Sequence, residues 1–593
     1  MSRLEQLFNT AVAEFQNGRF SEAEKALQKI GRKHRHIPDI LHLQGLIALE
    51  TGKLKQAADS FRQLVRAQKN NAEYHALLGT ALLMADREKQ AVAAFDNAIA
   101  LDPDKADHHY NRGLARKRLQ EFTAAEQGFR EALRLSPDHL DARFELGLVL
   151  RQAQKLEQAL DSFERVLKQD PESVDGMTEM AECLIGLQRF SEALPLLQNA
   201  EALDPESVPI LNALGIVNYY LKNYEDSERA FQKALSREPD TFQLHNALGN
   251  LYHRIGRLSD AEQCFRNAMA RSTQVTEANL NLAGLLLLNG AYGEGWRLFE
   301  NMRGVAYGGA VPQAPWNGED LSDKTIRVYG DQGVGDVVMF AGLLPELQSR
   351  CRQAIVEIDE RLMPLFQRSF EGVEIISAPR GSLPARNEDR FDFETIFSEL
   401  PRFLRTNLAA ASPPERGHLT ADREKSETIR DRYLAGESKT LVGIAWHSHN
   451  VKRPERNLPL SLWGPILTLP NVTFVSLQYG DAKADIAGAE RRFGTTILND
   501  PQIDQSANLD DLASQIDALD LVVSISQASA HFAGALGKRV LTMLPRVPDW
   551  RYGLERHDTI WYPHMTLYRQ SETDVWDDVI AAVAAEIAKI TSR

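Results

Sequence analysis

A carboxylate and several glycines meet in residues 325–345, TIRVYGDQGVGDVVMFAGLLP. An apolar β-type run comes first, then glycines that include Gly333 and Gly335, then apolar residues at helical spacing from Val337 to Leu347. This order predicts a strand, a glycine-rich turn that brings backbone N–H groups close to a ligand, and a helix. Asp336 occupies the first position of that helix, where its carboxylate leaves less room for a phosphate. Its expected role therefore differs from that of a dinucleotide-binding glycine loop.

Basic residues follow a second predicted strand, Thr440–Trp446, although the net charge of the protein is −14. Lys452, Arg453 and Arg456 can make charge-assisted contacts with a phosphate, and arginine can bind it bidentately. The alternative is a basic loop that only faces solvent. Gln478 ends the next predicted strand, where it either contacts a base or ribose or is simply exposed.

A turn of small residues from Ser524 to His531 enters another predicted helix. Its backbone N–H groups and the Ser529 hydroxyl are placed to bind a phosphate at the helix N-terminus. Ser526, Ala530 and His531 belong to the same candidate binding turn. His531 has a second interpretation, as a buried histidine bonded to backbone.

Strands and helices alternate through the second half of the chain, which predicts parallel sheets with right-handed crossovers. The predicted strands are Ile326–Tyr329, Ala354–Ile358, Val373–Ile376, Thr440–Trp446, Val472–Leu477, Leu521–Ile525 and, as the last, Val540–Leu544. The predicted helices are 337–347, 362–370, 462–469, 509–519 and 528–536. A polar, proline-bearing segment from Arg405 to Arg423 divides the region into two lobes, 321–425 and 426–593. We expect a ligand cleft between the carboxyl ends of the strands of the two lobes.

The first half of the chain repeats with a period of 34 residues. Glycine or alanine recurs in one column, at Ala11, Gly45, Gly79, Gly113, Gly147, Ala181, Gly215, Gly249 and Ala283. Phenylalanine recurs in another, at Phe61, Phe95, Phe129, Phe163, Phe231, Phe265 and Phe299. The period and the residue types resemble the tetratricopeptide repeat (TPR) family. They predict nine repeats in an all-α superhelix over residues 1–304, followed by a linker at 305–320 that packs through Tyr307 and Trp316.

Stacked repeats of this kind bury a shared core and leave a long concave surface for a protein partner. The column that faces the groove contains His42, Ala76, Tyr110, Phe144, Thr178, Asn212 and Asn246. We expect His42, Tyr110, Phe144, Asn212 and Asn246 to contact the partner. Because asparagine recurs only in part of this column, the groove either clamps an extended peptide or offers a more apolar face to a folded or helical partner.

The composition of the chain excludes several classes of protein. The chain has 593 residues, 43% of them hydrophobic and 25% charged, which is ordinary for a globular protein. The negative net charge argues against a nucleic-acid-binding surface. Three cysteines without metal-type spacing fit a reducing compartment. The N-terminus is acidic where a signal peptide would be apolar, so we expect a cytoplasmic protein.

The second half resembles the heptosyltransferase-like glycosyltransferases of the GT-B fold. The similarity lies in GVGDVVMFAGLLP, RNLPLSLW and SQASAHFAGALGKRVLTMLP, and the segment Asp549–Gln570 is similar to a subgroup with N-terminal TPRs. TPR-linked flagellin glycosyltransferases have the same domain order. The resemblance implies an all-α TPR superhelix followed by two Rossmann-like lobes that transfer a sugar to a protein.

The resemblance also implies roles for single residues. Asp336 matches the aspartate proposed as the base that deprotonates the acceptor hydroxyl, although a carboxylate there can equally be a simple helix cap. Arg456 matches a basic residue, and His531 a histidine, of the donor site. Ser526 and Gln527 stand where the heptosyltransferases have aspartate and threonine, which speaks against an ADP-heptose donor.

The resemblance implies an inverting O-glycosyltransferase that needs no bound cofactor beyond its nucleotide-sugar co-substrate. The donor that the resemblance implies is a CMP-activated nonulosonic acid. Its implied acceptor is Ser or Thr of a protein, flagellin, held by the repeats. The transferase half has no Asp-x-Asp pair, so we expect no metal dependence. The alternatives are a TPR scaffold that has lost activity and a glycosyltransferase that acts on a glycolipid.

Overall fold

The protein is described by a computed structural model that covers residues 3–30, 34, 36–272, 277–300, 314–330, 333–378, 390–405, 413–448 and 454–591. The chain forms two compact units, Met1–Pro239 and Asp240–Arg593. The predicted array, 1–304, therefore continues beyond the first unit, and its last repeats belong to the unit that holds the α/β lobes. Of the described helices, none is both long and apolar enough to cross a membrane.

The first unit consists of paired helices, and each pair corresponds to one repeat. Its helices are α1 (Arg3–Gln16), α2 (Phe20–Gln28), α3 (Pro38–Glu50), α4 (Leu54–Ala67), α5 (Ala72–Met84), α6 (Glu88–Leu101), α7 (Ala106–Arg118), α8 (Phe122–Leu135), α9 (Leu140–Gln152), α10 (Leu156–Gln169), α11 (Val174–Gly186), α12 (Phe190–Leu203), α13 (Val208–Tyr220) and α14 (Tyr224–Arg237). The glycine column exists because the helices of a pair approach closely over a phenylalanine. A methyl group on Gly45 would lie 2.5 Å from the ring of Phe61.

The second unit starts with two further helix pairs and continues into the α/β region. The helices of these pairs are α15 (Phe242–Arg254), α16 (Leu258–Ala270), α17 (Glu277–Leu288) and α18 (Tyr292–Glu300). The strands are β1 (Thr325–Tyr329), β2 (Gln353–Asp359), β3 (Glu374–Ala378), β4 (Phe393–Ile396), β5 (Thr440–Ala445), β6 (Val472–Ser476), β7 (Ile497–Leu498), β8 (Leu521–Ile525), β9 (Arg539–Leu544) and β10 (Met565–Arg569). The helices among them are α19 (Val334–Phe340), α20 (Leu344–Arg350), α21 (Met363–Ser369), α22 (Leu400–Leu404), α23 (Arg423–Leu434), α24 (Gly464–Leu467), α25 (Lys483–Phe493), α26 (Leu509–Asp517), α27 (Ala528–Ala535) and α28 (Asp577–Thr591).

Within the described residues these strands form two sheets, and every strand pair in them is parallel. The first lobe has four strands in the order β3-β2-β1-β4, and the second has six in the order β10-β9-β8-β5-β6-β7. The strands are buried because helices cover the sheets, and this explains their nearly continuous apolar sequences. The predicted α/β architecture with parallel sheets is confirmed.

Some predicted elements were wrong in number or extent. Val540–Leu544 is not the last strand, because β10 adds to the sheet beside β9. Strand β4 was missed, since its sequence FETI is short and partly polar. Helix α19 begins at Val334, two residues before Asp336, so Asp336 is its third residue and not its first as predicted. It also ends at Phe340, and a short 3-10 helix separates it from α20.

One apolar core runs through the second unit and joins its last helix pair to the α/β lobes. Trp296 of α18 and Phe340 of α19 belong to the same buried cluster. The ring of Trp550 lies between them, with its centroid 5.3 Å from that of Trp296 and 6.3 Å from that of Phe340. Trp316 of the predicted linker is buried against Phe403 as expected, whereas Tyr307 lies outside the described residues.

Candidate functional site

The N-termini of α19 and α27 lie against each other, one from each lobe. A methyl group on Gly335 would be 3.2 Å from the Cα of Ala528 and 3.2 Å from Cδ2 of His531. Glycine at 335 therefore lets the two helices approach, whereas a methyl group on Gly333 would lie 3.9 Å from Oδ2 of Asp336. This contact brings Asp336 to the turn Ser526–Ser529, two features separated by nearly 200 residues of sequence.

A chain of alternating charges runs through this site. The carboxylate of Asp336 pairs with the guanidinium of Arg551, and Arg551 Nη1 also donates to Asp549 Oδ1 at 2.5 Å. The other oxygen of Asp549 accepts from Arg456 Nη2 at 3.0 Å. Burial opposes the charge on Arg551, but the two neighbouring carboxylates outweigh it and raise its pKa, so the guanidinium stays protonated. Asp336 is therefore held in a fixed direction by a permanent cation rather than left free at a helix end.

His531 is enclosed by two tyrosines from the C-terminal segment. Its Nδ1 is 2.8 Å from the Tyr562 hydroxyl, and its Nε2 is 3.4 Å from the Tyr552 hydroxyl. The side chain is 6% exposed, and burial lowers its pKa to about 4 despite the nearby Asp336 carboxylate. The imidazole is therefore neutral at pH 7. Burial also raises the pKa of Tyr552 to about 12, so its hydroxyl remains protonated beside Ser526.

The predicted donor contacts fall into two groups. Arg456 belongs to the series of ion pairs through its bond to Asp549, and Ser526 lies beside it, against Tyr552. Gln478 and Ser529 bond to backbone instead: Gln478 Oε1 accepts from the N–H of His447 at 2.8 Å, and Ser529 Oγ donates to the carbonyl of Leu477 at 3.0 Å. These two side chains fix the carboxyl ends of β5 and β6, while their contact with a donor remains a prediction.

Two further residues, Ala530 and Lys452, were predicted to bind the donor. Ala530 is fully buried in the first turn of α27, so only its backbone is placed to act. Lys452 lies outside the described residues.

The predicted acceptor residues are divided between the two compact units. In the first, His42, Tyr110, Phe144 and Asn212 are partly exposed, and the centroid of the Tyr110 ring lies 4.8 Å from that of His139, the residue just before α9. In the second unit, Asn246 accepts a hydrogen bond from Asn281 Nδ2 at 3.0 Å. Asparagines of neighbouring repeats thus bond to each other here, and their contact with a partner stays a prediction.

Four site residues come from a segment that gave no catalytic signal in the sequence. Asp549, Arg551, Tyr552 and Tyr562 all lie in DWRYGLERHDTIWYP. In the sequence this segment is distinguished only by its similarity to proteins with N-terminal TPRs. Its density of aromatic and charged residues was the available signal, because a solvent-exposed tail seldom has so many large rings.

The buried histidine predicts a pH-dependent stability. Between about pH 6.5 and 4 the unfolded chain binds a proton at His531 that the folded chain does not, so the free energy of unfolding falls as the pH falls. One pKa unit is worth about 1.4 kcal/mol, and the loss should approach roughly 3 kcal/mol near pH 4. We expect urea unfolding from pH 7 to pH 4 to show this extra loss in the parent and not in His531→Gln. If the free energies of unfolding of the two proteins fell in parallel with pH, His531 would not be the source of the loss.

Family models described as tetratricopeptide repeat match residues 42–106, 89–139, 110–174 and 212–274, and a second model with the same description matches 150–215. The TPR prediction is confirmed over these residues. Among curated proteins, "Protein FlbA" of Caulobacter vibrioides is 32% identical over 324 residues, which is 51% of this chain. This chain spans about half of that protein's length, 54%.

Several solved structures are similar to part of this chain. The structure of YrrB, titled as a TPR protein with an unusual peptide-binding site, is 23% identical with a TM-score of 0.30; the match covers 32% of this chain and 97% of that one. A PilF structure from Pseudomonas aeruginosa is 21% identical with a TM-score of 0.31, and the match covers 35% and 95%. The Cut9-Hcn1 structure is 18% identical with a TM-score of 0.34, and the match covers 48% of this chain and 56% of that one.

Proposed function

We propose that this chain is a metal-independent, inverting glycosyltransferase of the GT-B type. It transfers a sugar from a nucleotide-sugar to a Ser or Thr hydroxyl of an acceptor protein that the TPR array recruits in the cytoplasm. The proposed acceptor is flagellin, and the proposed donor is a CMP-activated nonulosonic acid. The likeness to FlbA and the resemblance to TPR-linked flagellin glycosyltransferases both favour a flagellar role.

The observation that supports the proposal most is the position of Asp336. This carboxylate and the N-terminus of α27 come from different lobes, yet Gly335 lies against Ala528 and His531. Parallel α/β lobes bind ligands at the carboxyl ends of their strands, where both of these features lie. A base on one side and phosphate-binding N–H groups on the other are the two functions that a sugar transfer requires.

In the proposed reaction the acceptor oxygen attacks the anomeric carbon while the bond from that carbon to the phosphate oxygen breaks. Asp336 takes the proton of the acceptor hydroxyl, as a positioned general base does. The departing phosphate gains negative charge, which the N–H groups of α27 and the Arg456 guanidinium offset. Arg551 holds Asp336 in position during the reaction and is itself held by Asp549.

A second candidate is a scaffold that binds the acceptor protein without modifying it. Two observations favour it. Ser526 replaces the family's aspartate, and the carboxylate of Asp336 is already paired with Arg551. The guanidinium of Arg551 thus occupies the carboxylate that would have to accept the proton of the acceptor hydroxyl, and this pairing works against catalysis.

The test is a transfer assay with intact-mass detection. Flagellin is purified from cells that lack this chain and is incubated with the purified chain and a panel of nucleotide-sugars, with CMP-nonulosonic acids among them. We expect flagellin to gain the mass of one or more sugar residues, on Ser or Thr. Heat-inactivated chain serves as the control. Stable binding of flagellin without any gain in mass would favour the scaffold, and sugar transfer to lipid alone would favour the glycolipid enzyme.

A further inference from the structure

The eighth repeat, formed by α15 and α16, lies against the edge of the second lobe at which the strands end. A methyl group on Gly256, in the turn between these helices, would be 3.7 Å from Cγ2 of Val547. Val547 is buried and belongs to the loop that follows β9. Parallel sheets bind their ligands beside the carboxyl ends of their strands. The repeat therefore covers the edge of the lobe that holds the candidate donor residues.

Arg254, the last residue of α15, connects two loops at this edge. Its guanidinium pairs with Asp574 at 2.5 Å, in the loop after β10, and with Glu455 at 3.6 Å, in the segment after β5. The three side chains are only 10%, 17% and 9% exposed. Because β9 and β8 lie between β10 and β5, one side chain of the repeat joins loops of strands that are not neighbours. Ion pairs with so little exposure are screened less than surface pairs, so they hold the two loops in place.

Glu455 is the immediate neighbour of the candidate donor residue Arg456. Both belong to the short 3-10 helix Pro454–Arg456. Just beyond that helix, the N–H of Leu458 donates to the carbonyl of Trp446 at 3.0 Å, at the end of β5. The helix is therefore held by the strand on one side and by the repeat, through Glu455, on the other. A shift of Glu455 would move Arg456 with it.

Ionic contacts continue from the repeat to the candidate base. The charges alternate in sign along Asp574, Arg254, Glu455, Arg456, Asp549, Arg551 and Asp336. Each neighbouring pair in this series is an ion pair, except that Glu455 and Arg456 are joined by the chain itself. The position of Arg456 thus depends on two anchors, Asp549 on its guanidinium and Arg254 on the residue before it.

We infer that Arg254 is a positioning residue of the donor site. It anchors Glu455 and thereby places the Arg456 guanidinium where the donor phosphate binds. This inference rests on the proposed function, since that function makes Arg456 a donor contact. It gives the eighth repeat a part in donor binding, which recruitment of the acceptor protein does not require.

The test compares two substitutions in the full chain whose direct charge effects have opposite signs. Arg254→Gln removes a positive charge near the donor site and Glu455→Gln removes a negative one, so charge alone would weaken binding of an anionic donor in the first and strengthen it in the second. Positioning predicts that both raise the Kd for a CMP-activated nonulosonic acid about tenfold, roughly the value of one charge-assisted contact. Isothermal titration calorimetry measures both constants. An unchanged or lowered Kd in Glu455→Gln would overturn the positioning role.

Arg266→Gln is the matched control. Arg266 belongs to the same repeat and also pairs with two carboxylates, Glu262 and Glu294, both of which lie in helices of the array. We expect this variant to bind the donor as the parent does, and Arg254→Lys, which keeps the charge beside Glu455, to stay within about threefold of the parent. The melting temperature of each variant verifies that it is folded. If Arg266→Gln weakens donor binding as much as Arg254→Gln, the repeats act by general stability and the role of Arg254 is overturned.

Sugar transfer to flagellin separates this inference from the proposed function. Arg254→Gln should raise the KM for the nucleotide-sugar and leave kcat and the KM for flagellin within about twofold of the parent. Weaker donor binding in both variants of a chain that adds no sugar to flagellin would preserve the positioning role while the proposed transfer fails. Normal transfer and a normal donor Kd in both variants would overturn the positioning role while the proposed function stands. A parent chain that binds no nucleotide-sugar would overturn both.

Discussion

Asp336→Asn is expected to reduce kcat for sugar transfer by about 10²–10⁴, the contribution typical of a general base. Asparagine has nearly the same shape as aspartate but cannot accept the proton of the acceptor hydroxyl. The fold should survive, because Arg551 keeps its second partner, Asp549, at 2.5 Å. Steady-state transfer to flagellin and the melting temperature of the variant test both expectations.

Asp549→Asn is the matched control for this substitution. It removes the other carboxylate from Arg551 and leaves Asp336 intact, so the electrostatic loss at the guanidinium is similar. Because Asp549 also pairs with Arg456, we expect a weaker donor affinity but a loss in kcat below tenfold. If both variants lose kcat equally, Asp336 acts through its ion pair rather than as a base. Near-normal turnover in Asp336→Asn would end the assignment altogether.

Local features of the fold were predictable because they depend on neighbouring residues. The 34-residue period follows from small residues that let each helix pair close over a phenylalanine, as Gly45 does over Phe61. Strands such as Leu521–Ile525 are short apolar runs between turn residues, and the structure has β8 at the same bounds. The start of α19 was misplaced because Val334 and Gly335 resemble the turn that precedes them.

The series of ion pairs in the candidate site, from Asp336 through Arg551 and Asp549 to Arg456, was harder to predict from the sequence. Asp336 was identified by its place after a glycine turn, but its partner Arg551 lies 215 positions later in no recognisable motif. Gly335 was predicted to bring its backbone N–H close to a ligand, and the structure adds that its missing side chain makes room for Ala528 and His531. Gln478 and Ser529 are plausible ligand contacts by type, and only the fold reveals that they bond to the backbone of neighbouring strands.

The boundary between the two compact units also depends on residues that are distant in sequence. Sequence alone divided the chain at residue 304, where the 34-residue pattern ends. In space the second compact unit begins at Asp240 and includes four helices of the array. Trp296 and Phe299 of the last repeat pack with Trp550. No local sequence pattern indicates that Trp550 contacts the repeats.

A transferase fragment cut at the end of the repeats should therefore be much less stable than one cut at the start of the second unit. Residues 310–593 lack Trp296 and Phe299, which are 4% and 8% exposed in the intact chain, and leave Phe340 and Trp550 partly uncovered. Truncating one buried aromatic side chain typically costs about 3–5 kcal/mol. Whole domains are stable by only about 5–15 kcal/mol, so we expect 310–593 to unfold or aggregate.

The comparison uses residues 240–593, which keep α15–α18 and the ion pair between Arg254 and Asp574 at 2.5 Å. This fragment should unfold cooperatively, with a melting temperature at least ten degrees above that of 310–593, and should still bind nucleotide-sugar. In the full chain, Trp296→Ala isolates one of the lost contacts and should lower the free energy of unfolding by about 3–5 kcal/mol. Equal melting temperatures for the two fragments would mean that the last repeats cover the transferase core without stabilising it. The last repeats would then contribute only by recruiting the acceptor protein. Loss of such an acceptor-binding arm lowers the effective concentration of the acceptor and leaves the stability of the enzyme unchanged.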